Sequence, residues 1–130
     1  PLLGLAAERF AMVPALPVAL CHVGSPWDRS PDGLAAWRDG LAAMAGLPQA
    51  TCKLSGLGMT DPDWTPASLA PIIAAVLEAF GPRRTMWGSN FPVDRLYRSY
   101  RALFEAVLSC VPAGDHGDVF AGTATRFYRL

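Results

Sequence analysis

Arg84-Thr-Met-Trp-Gly-Ser89, followed by Asn90-Phe-Pro92, is a short apolar run that ends in turn-forming residues. Two earlier stretches have the same form, Pro17-Val-Ala-Leu-Cys-His22 and Ala50-Thr-Cys-Lys-Leu-Ser55. None of these runs alternates cleanly between apolar and polar residues, which is typical of strands covered on both faces in a parallel sheet. The sequence therefore predicts buried parallel strands over residues 17–22, 50–55 and 84–89.

Apolar residues at helical spacing fill the segments around these strands. One stripe follows Ser30-Pro31, which suit the N-cap and first helical positions, and consists of Leu34, Trp37, Leu41 and Met44. Further stripes predict helices over residues 2–12, 69–80, 100–108 and 116–127. Pro71 must lie in the first turn of its helix or kink it. The resulting order implies an α/β fold, with parallel strands joined by crossover helices.

The predicted strands are too few for a closed sheet. A barrel needs about eight parallel strands, and a doubly wound sheet usually has about five. Of the 130 residues, 52% are hydrophobic and 17% are charged, below a globular average of about 25%. The chain also opens on Pro1, directly in a helical pattern. We therefore expect residues 1–130 to be part of one larger domain, with an N-terminal half encoded upstream.

Charge and cysteine usage exclude several classes of protein. Eleven basic residues balance eleven acidic ones, so neither nucleic acid nor an anionic membrane is an expected partner. No apolar run approaches the ~20 residues of a membrane helix, and no signal peptide is recognised. Cys21, Cys52 and Cys110 lack CxxC spacing and predict buried free thiols in a reducing compartment. We expect a cytoplasmic protein.

Each predicted strand ends in polar residues, where parallel α/β folds place their active sites. His22 could bind a metal or move a proton there, or could be a buried histidine bonded to a neighbouring carbonyl. A single histidine makes no catalytic zinc site, which takes about three protein ligands. His116 lies among glycines and is expected in a solvated turn.

Lys53 lies inside the second strand and needs a carboxylate partner or a wet cleft. It could bind an anionic substrate group, or form a structural ion pair. Ser55, just beyond it, has no obvious base in the chain and is not proposed as a nucleophile.

Asn90 can orient a substrate oxygen, although an amide is no base. Asp94 follows where a helix would start, and is either a functional carboxylate or an N-cap. Trp27, in the loop after the first strand, and Trp87, at the end of the third, could stack on a substrate. The spacing of Trp37 predicts a core position.

Four stretches in order resemble the amidohydrolase-related family of predicted metal-dependent hydrolases with a TIM-barrel fold. They are Cys21-His-Val-Gly-Ser-Pro26, Cys52-Lys-Leu-Ser-Gly-Leu-Gly-Met59, Phe80-Gly-Pro-Arg-Arg-Thr-Met-Trp-Gly-Ser-Asn-Phe-Pro-Val-Asp94 and Val119-Phe-Ala-Gly-Thr-Ala-Thr-Arg-Phe-Tyr128. The resemblance is strongest to the branch with sugar lactonases and 2-pyrone-4,6-dicarboxylate lactonase. It implies that the chain is the C-terminal portion of a TIM (β/α)8 barrel, which takes ~250 residues.

The resemblance also implies what this chain lacks. The family's first strand carries an His-x-His pair that binds metal or substrate, and the sequence has none. His22 matches the histidine of a later strand. Asn90 matches the aspartate of the family's Gly-Ser-Asp-Trp/Phe-Pro motif, which takes a proton from the attacking water or ligates the metal. An asparagine cannot be that base, so the role would fall to Asp94 or to a residue outside the chain.

These observations predict a hydrolase that opens a cyclic ester or a similar carbonyl compound. Water attacks the carbonyl, His22 polarises it or assists proton transfer, Lys53 holds an anionic group and Asn90 positions substrate or water. The cofactor would be a divalent metal such as zinc, or the reaction would need no cofactor. The alternatives are a non-catalytic fragment or small-molecule-binding remnant, as expected for these 130 residues alone, and a barrel decarboxylase.

Overall fold

The computed structural model describes residues 2–130 and contains one three-stranded parallel sheet in the order β1-β2-β3. Its strands are β1 (Val18–Leu20), β2 (Ala50–Leu54) and β3 (Thr85–Trp87). The helices are α1 (Leu2–Ala11), α2 (Pro31–Ala45), α3 (Leu57–Thr60), α4 (Pro66–Phe80), α5 (Tyr100–Cys110) and α6 (Thr123–Tyr128). The predicted parallel strands with crossover helices are therefore confirmed.

Local sequence signals set most helix ends. The hydroxyl of Ser30 accepts a 3.1 Å hydrogen bond from the backbone N–H of Gly33, with Pro31 as the first helical residue, as predicted. Thr65 and Ser68 form a capping box at the start of α4. Pro71 lies within α4 rather than in its first turn.

The strands are shorter than the sequence predicts. His22 does not end β1 but lies in the 3-10 turn Cys21–Gly24 that follows it. The turn also exposes Cys21, which corrects the expectation of buried thiols; Cys52 is buried, and all three cysteines are free. A π-helical segment, Asp118–Gly122, leads into α6 where one regular helix was predicted.

The core lies where β2 and α2, α4 and α5 pack together. Side chains that are at most 1% exposed fill it, among them Leu41, Met44, Leu54, Leu69, Ile73, Val76 and Val107. Within the part of the chain that the structure describes, β1 and β3 each pair with β2 alone, so both outer edges of the sheet lack a further strand. Among residues 2–130, no helix is long and apolar enough to cross a membrane.

Candidate functional site

The segments after the three strands bring together His22, Ser55 and Asp94. Ser55 directly follows β2, and Asp94 lies in the 3-10 turn Val93–Leu96 beyond β3. The sites predicted separately at the strand ends therefore share one end of the sheet, as parallel α/β folds require.

His22 lies in an unusual left-handed turn. His22, Val23, Gly24 and Ser25 all have positive φ, of 55°, 49°, 73° and 53°. The left-handed conformation costs about 1–2 kcal/mol for each residue that has a side chain, and it is least expected of the β-branched Val23. Surrounding contacts must hold the turn, and this arrangement is typical of functional sites.

Ser55 holds His22 from the side of β2. Its hydroxyl oxygen is 3.2 Å from the His22 backbone nitrogen and 2.9 Å from Nδ1 of the ring. Ser55 is 3% exposed and His22 is half-buried, so the pairing is shielded from water on the side of Ser55. The structure thus brings an imidazole to Ser55, for which the sequence offered no obvious base, and the His22 ring bonds to this hydroxyl where the alternative reading expected a neighbouring carbonyl. The contact engages Nδ1 and leaves Nε2 for a substrate or metal.

Gly56 is needed for the same approach. A Cβ at this position would lie 2.6 Å from Nδ1 of His22, and Gly56 itself has a φ of +60°. Both requirements exclude a larger residue without movement of the imidazole.

Asp94 is a buried carboxylate with an incomplete set of partners. The residue is 2% exposed, and its Oδ1 accepts a 3.1 Å hydrogen bond from Nδ2 of Asn90. Its Oδ2 has no partner among the described residues. Burial raises the pKa of the Asp94 carboxyl, an effect partly offset by the Asn90 amide, the backbone N–H of Gly58 and the charge of His22. The alternative role of N-cap falls to Ser99, which caps α5.

Asn90 links this carboxylate to the rest of the site. Its φ is 55°, and its amide also lies 3.3 Å from the sulfur of Met59. The side chain that replaces the family's usual aspartate therefore donates to Asp94.

Lys53 has a phenol as its partner instead of the carboxylate of a structural ion pair. Its Nζ donates a 2.7 Å hydrogen bond to the hydroxyl of Tyr128 and lies 5.3 Å from the centre of that ring. Among residues 2–130, no carboxylate forms a salt bridge with it. Gly88 makes room for the lysine stem, since a Cβ there would lie 3.2 Å from Cδ of Lys53. Nothing in the sequence pattern indicated the part played by Tyr128.

Trp87 faces the core. It pairs with Leu54 in the sheet register, whereas Lys53 pairs with Met86, so Trp87 and Lys53 project from opposite faces. The Trp87 ring packs against three aromatic rings of the helical layer, those of Tyr100, Phe104 and Phe120. This packing engages the Trp87 ring with other aromatic side chains, and its predicted role in substrate binding stays a prediction.

The other aromatic and histidine candidates divide between surface and core. Trp27 is 65% exposed and lies beside the His22 turn, on a cleft of about 290 Å³ that Leu3 and Trp37 also line. Trp37 is buried, as its helical spacing predicts. His116 is not a solvated turn residue, because its Nε2 lies 2.9 Å from the carbonyl oxygen of Val111 in a half-buried contact.

His22 and Asp94 are metal-donor side chains that lie near each other at this end of the sheet. Catalytic zinc takes about three protein ligands. Among residues 2–130, no three histidine, cysteine, aspartate or glutamate side chains come together as a metal site. The described residues therefore do not form a complete zinc centre by themselves.

The chain is similar to known proteins over most of its length. A family model described as amidohydrolase matches residues 1–130. An L-fucono-1,5-lactonase of Burkholderia multivorans is 38% identical over 128 aligned residues, which cover 87% of this chain and 43% of the lactonase.

Two crystal structures of a Burkholderia multivorans amidohydrolase have the same fold. One superposes with a TM-score of 0.90 at 33% identity and covers 98% of this chain and 50% of that chain. The other, with bound zinc, gives a TM-score of 0.89 at 32% identity over 98% and 49% of the two chains. This chain thus spans half or less of the length of these relatives. The prediction that its strands are part of a TIM barrel is confirmed.

Proposed function

This chain belongs to the amidohydrolase family, and from that membership we propose that it carries part of the active site of a hydrolase that opens cyclic esters. One observation carries the proposal. His22, held by Ser55 at 2.9 Å, shares the carboxyl end of the sheet with Asp94, whose Oδ2 has no partner among the described residues. An imidazole and a partly unsatisfied carboxylate are suited to proton transfer.

Asp94 is the proposed proton acceptor. In lactone opening, the water oxygen bonds to the acyl carbon and the bond from that carbon to the ring oxygen breaks. Asp94 takes the proton that the water loses, and the ring oxygen gains one. Burial raises the pKa of this carboxyl, which makes it a stronger base than an exposed aspartate. Asp94 thereby takes the role that the amide of Asn90 cannot fill.

His22 is proposed to polarise the carbonyl. The Ser55 hydroxyl oxygen accepts a hydrogen bond from the backbone N–H of His22, with 3.2 Å between oxygen and nitrogen. The hydroxyl can therefore donate its own proton to Nδ1, which lies 2.9 Å away. A neutral ring then carries its own proton on Nε2, where it can donate to the carbonyl oxygen as negative charge develops there. Asn90 is proposed to position the water or substrate through its amide.

Lys53 is proposed to bind an anionic group of the substrate. Its ammonium is matched by a neutral phenol, so its charge is free for a carboxylate or an oxyanion. Trp27, exposed beside the His22 turn, is the aromatic surface on which a ring could stack.

A divalent metal would increase the acidity of the attacking water when bound. The zinc in one Burkholderia multivorans structure supports that assignment for the family. In this chain His22, in the tautomer whose Nε2 carries no proton, and Asp94 would contribute donors, but two donors are fewer than the about three of a catalytic site. No step is therefore assigned to a metal.

We further propose that residues 1–130 form part of a single barrel domain, whose other strands come from residues outside this chain. The open edges of β1 and β3 and the 43–50% coverage of the relatives support this arrangement. The substrate is proposed to be a small molecule.

The experiment is a titration of acid release from L-fucono-1,5-lactone and related sugar lactones by the purified full-length protein, in which residues outside this chain complete the barrel. We expect acid release that His22→Ala abolishes while the circular dichroism spectrum stays native. Turnover that survives in His22→Ala would overturn the assignment of His22, and release of carbon dioxide instead of acid would indicate a decarboxylase. Binding of a lactone without acid release would favour the second candidate, a binding remnant, to which the amide at Asn90 points.

A further inference from the structure

The left-handed turn that carries His22 is held by an indole. Nε1 of Trp37, on α2, donates a 2.8 Å hydrogen bond to the carbonyl oxygen of Val23, the residue after His22. Both residues are buried, with exposures of 6% and 1%. We propose that Trp37 is a positioning residue for His22, acting through the Val23 carbonyl; the catalytic part of this inference rests on the proposed function.

The turn needs such a restraint because its own residues oppose it. His22, Val23 and Ser25 are not glycines, yet all adopt positive φ. One short backbone bond, from the Ser25 N–H to the His22 carbonyl at 2.7 Å, closes the turn internally. The remaining restraints come from elsewhere in the fold.

Two of those restraints enclose His22. Ser55, after β2, accepts the His22 backbone N–H and contacts Nδ1. Trp37 fixes the next carbonyl along the chain, at Val23. His22 is thus held at its backbone nitrogen and its ring by one side chain, and beyond its carbonyl by the other.

A core residue alone would not need this bond. Trp37 lies in the apolar stripe of α2, and burial of its ring explains its packing against Leu41 and Met44. Burial does not by itself give an indole N–H a partner in this protein, since Nε1 of Trp87 is buried without one among the described residues. The hydrogen bond to Val23 is therefore a separate feature of Trp37, and it lies one residue from His22.

The test uses the ring nitrogens of His22. Residues 1–130 contain two histidines, so His116→Gln leaves His22 as their single source of imidazole signals in a nitrogen-detected NMR spectrum. In this background, Trp37→Phe removes the donor and keeps an aromatic ring. We expect the single tautomer of His22 to become a mixture. We also expect kcat for lactone opening to fall by about 100-fold with little change in KM, as for a small displacement of a reacting group.

Trp64→Phe is the matched control. Trp64 is 5% exposed and packs against Arg98, and among the described residues the indole bonded to the His22 turn is that of Trp37. Trp64→Phe should lower the melting temperature without changing the His22 signals or kcat. A Trp37→Phe protein that melts earlier but keeps the His22 tautomer and kcat would overturn the proposal and leave Trp37 as a core residue.

A second variant covers the case in which Trp37→Phe does not fold. Benzothienylalanine at position 37 replaces the N–H group with sulfur and preserves the shape of the side chain. Altered His22 signals support the positioning role, whereas wild-type signals refute it. The NMR measurement does not depend on turnover, so it also separates failure of this inference from failure of the proposed hydrolase function.

Discussion

The amide of Asn90 donates a 3.1 Å hydrogen bond to Oδ1 of Asp94, a buried carboxylate that forms no salt bridge with any of residues 2–130. Oδ2 of the same carboxylate has no partner among residues 2–130. A buried carboxyl group with one unpartnered oxygen is costly to ionise, and burial is therefore the largest cause of the raised pKa of Asp94. The relation between these two residues determines how the site responds to pH.

Asp94→Asn should make the protein less sensitive to pH. The pKa of Asp94 in the folded protein is raised above its ordinary value of 3.8, so the folded state binds more protons than the unfolded state just above that value. The stability of the wild type is therefore expected to fall as pH rises from 3.8 through the folded pKa. The variant should lose this slope, and urea unfolding at a series of pH values measures it.

Asp63→Asn is the control, because Asp63 is exposed. It should reproduce the wild-type dependence on pH. An Asp94→Asn protein with an unchanged slope would show that Asp94 does not carry it. Loss of lactone opening in Asp94→Asn, with folding retained, is the matching outcome for its proposed role as base.

Ser55→Ala should loosen His22. The hydroxyl contacts both the backbone nitrogen and Nδ1, at 3.2 and 2.9 Å, in a buried position. Loss of a buried partner costs about 1–3 kcal/mol, and the imidazole loses its orientation. We expect lower kcat together with an earlier urea midpoint. Ser109→Ala removes an exposed helix hydroxyl and should change neither; equal kcat in Ser55→Ala and wild type would contradict the role of Ser55.

Arg84→Met should destabilise the fold at the opposite end of the sheet. Nη1 of Arg84, just before β3, donates to the carbonyl oxygens of Ala45 and Leu47 at 2.9 and 3.0 Å. These carbonyls lie at and beyond the end of α2, where no further helical N–H follows. Removal of this cationic donor should lower the free energy of unfolding by about 2 kcal/mol. The unfolding midpoint would then fall at a lower urea concentration.

Arg83→Met separates this effect from loss of charge, since the neighbouring Arg83 is exposed. It should unfold like the wild type. Activity should persist in both arginine variants because their side chains precede β3, whereas the site follows it. Equal midpoints for the two variants would refute the role of Arg84.

Lys53→Met should weaken binding of anionic substrates in particular. A lysine matched by the Tyr128 hydroxyl at 2.7 Å has its charge available to a ligand. KM should therefore rise for lactones that carry a carboxylate and change little for neutral ones. Tyr128→Phe keeps the ring beneath the ammonium and removes only its hydrogen bond, so it should leave KM low. The same increase for neutral and anionic lactones would contradict the proposed role.

Most of the fold follows from local signals, and its departures from prediction have a structural cause. The helix start at Ser30-Pro31 and the apolar stripes depend only on residues that are close in sequence. The early end of β1 is different, because nothing in Val23 favours a left-handed backbone. That conformation depends on Trp37 and Ser55, which are distant in sequence.

The candidate site could be predicted only in part, because some of its features are local in sequence and others depend on distant contacts. His22, Lys53 and Asp94 stand out because polar residues near the ends of apolar strands are conspicuous. The contact between His22 and Ser55 depends on the pairing of Leu20 with Cys52, a register that apolar periodicity does not reveal. The same limit applies to Trp87, whose face is set by its pairing with Leu54.

Asn90→Asp would restore the carboxylate usual in the family, and we expect it to destabilise this protein at neutral pH. The 3.1 Å donor to Asp94 would become a second carboxylate, so the two groups could not both ionise freely. Loss of a hydrogen bond to a charged group costs about 2 kcal/mol. The loss of stability in Asn90→Asp should be smaller at acidic pH, where a protonated carboxyl group can again donate a hydrogen bond.

Two further measurements separate charge repulsion from loss of the hydrogen bond in Asn90→Asp. Asn90→Gly tolerates the φ of 55° and removes the amide without adding charge, so its deficit should vary less with pH. Zinc chloride should raise the urea midpoint of Asn90→Asp more than that of the wild type, because a third donor would join His22 and Asp94. Unfolding curves that coincide for Asn90→Asp and wild type between pH 5 and 8 would show that the carboxylates are farther apart in solution, or better solvated, than the 3.1 Å contact implies.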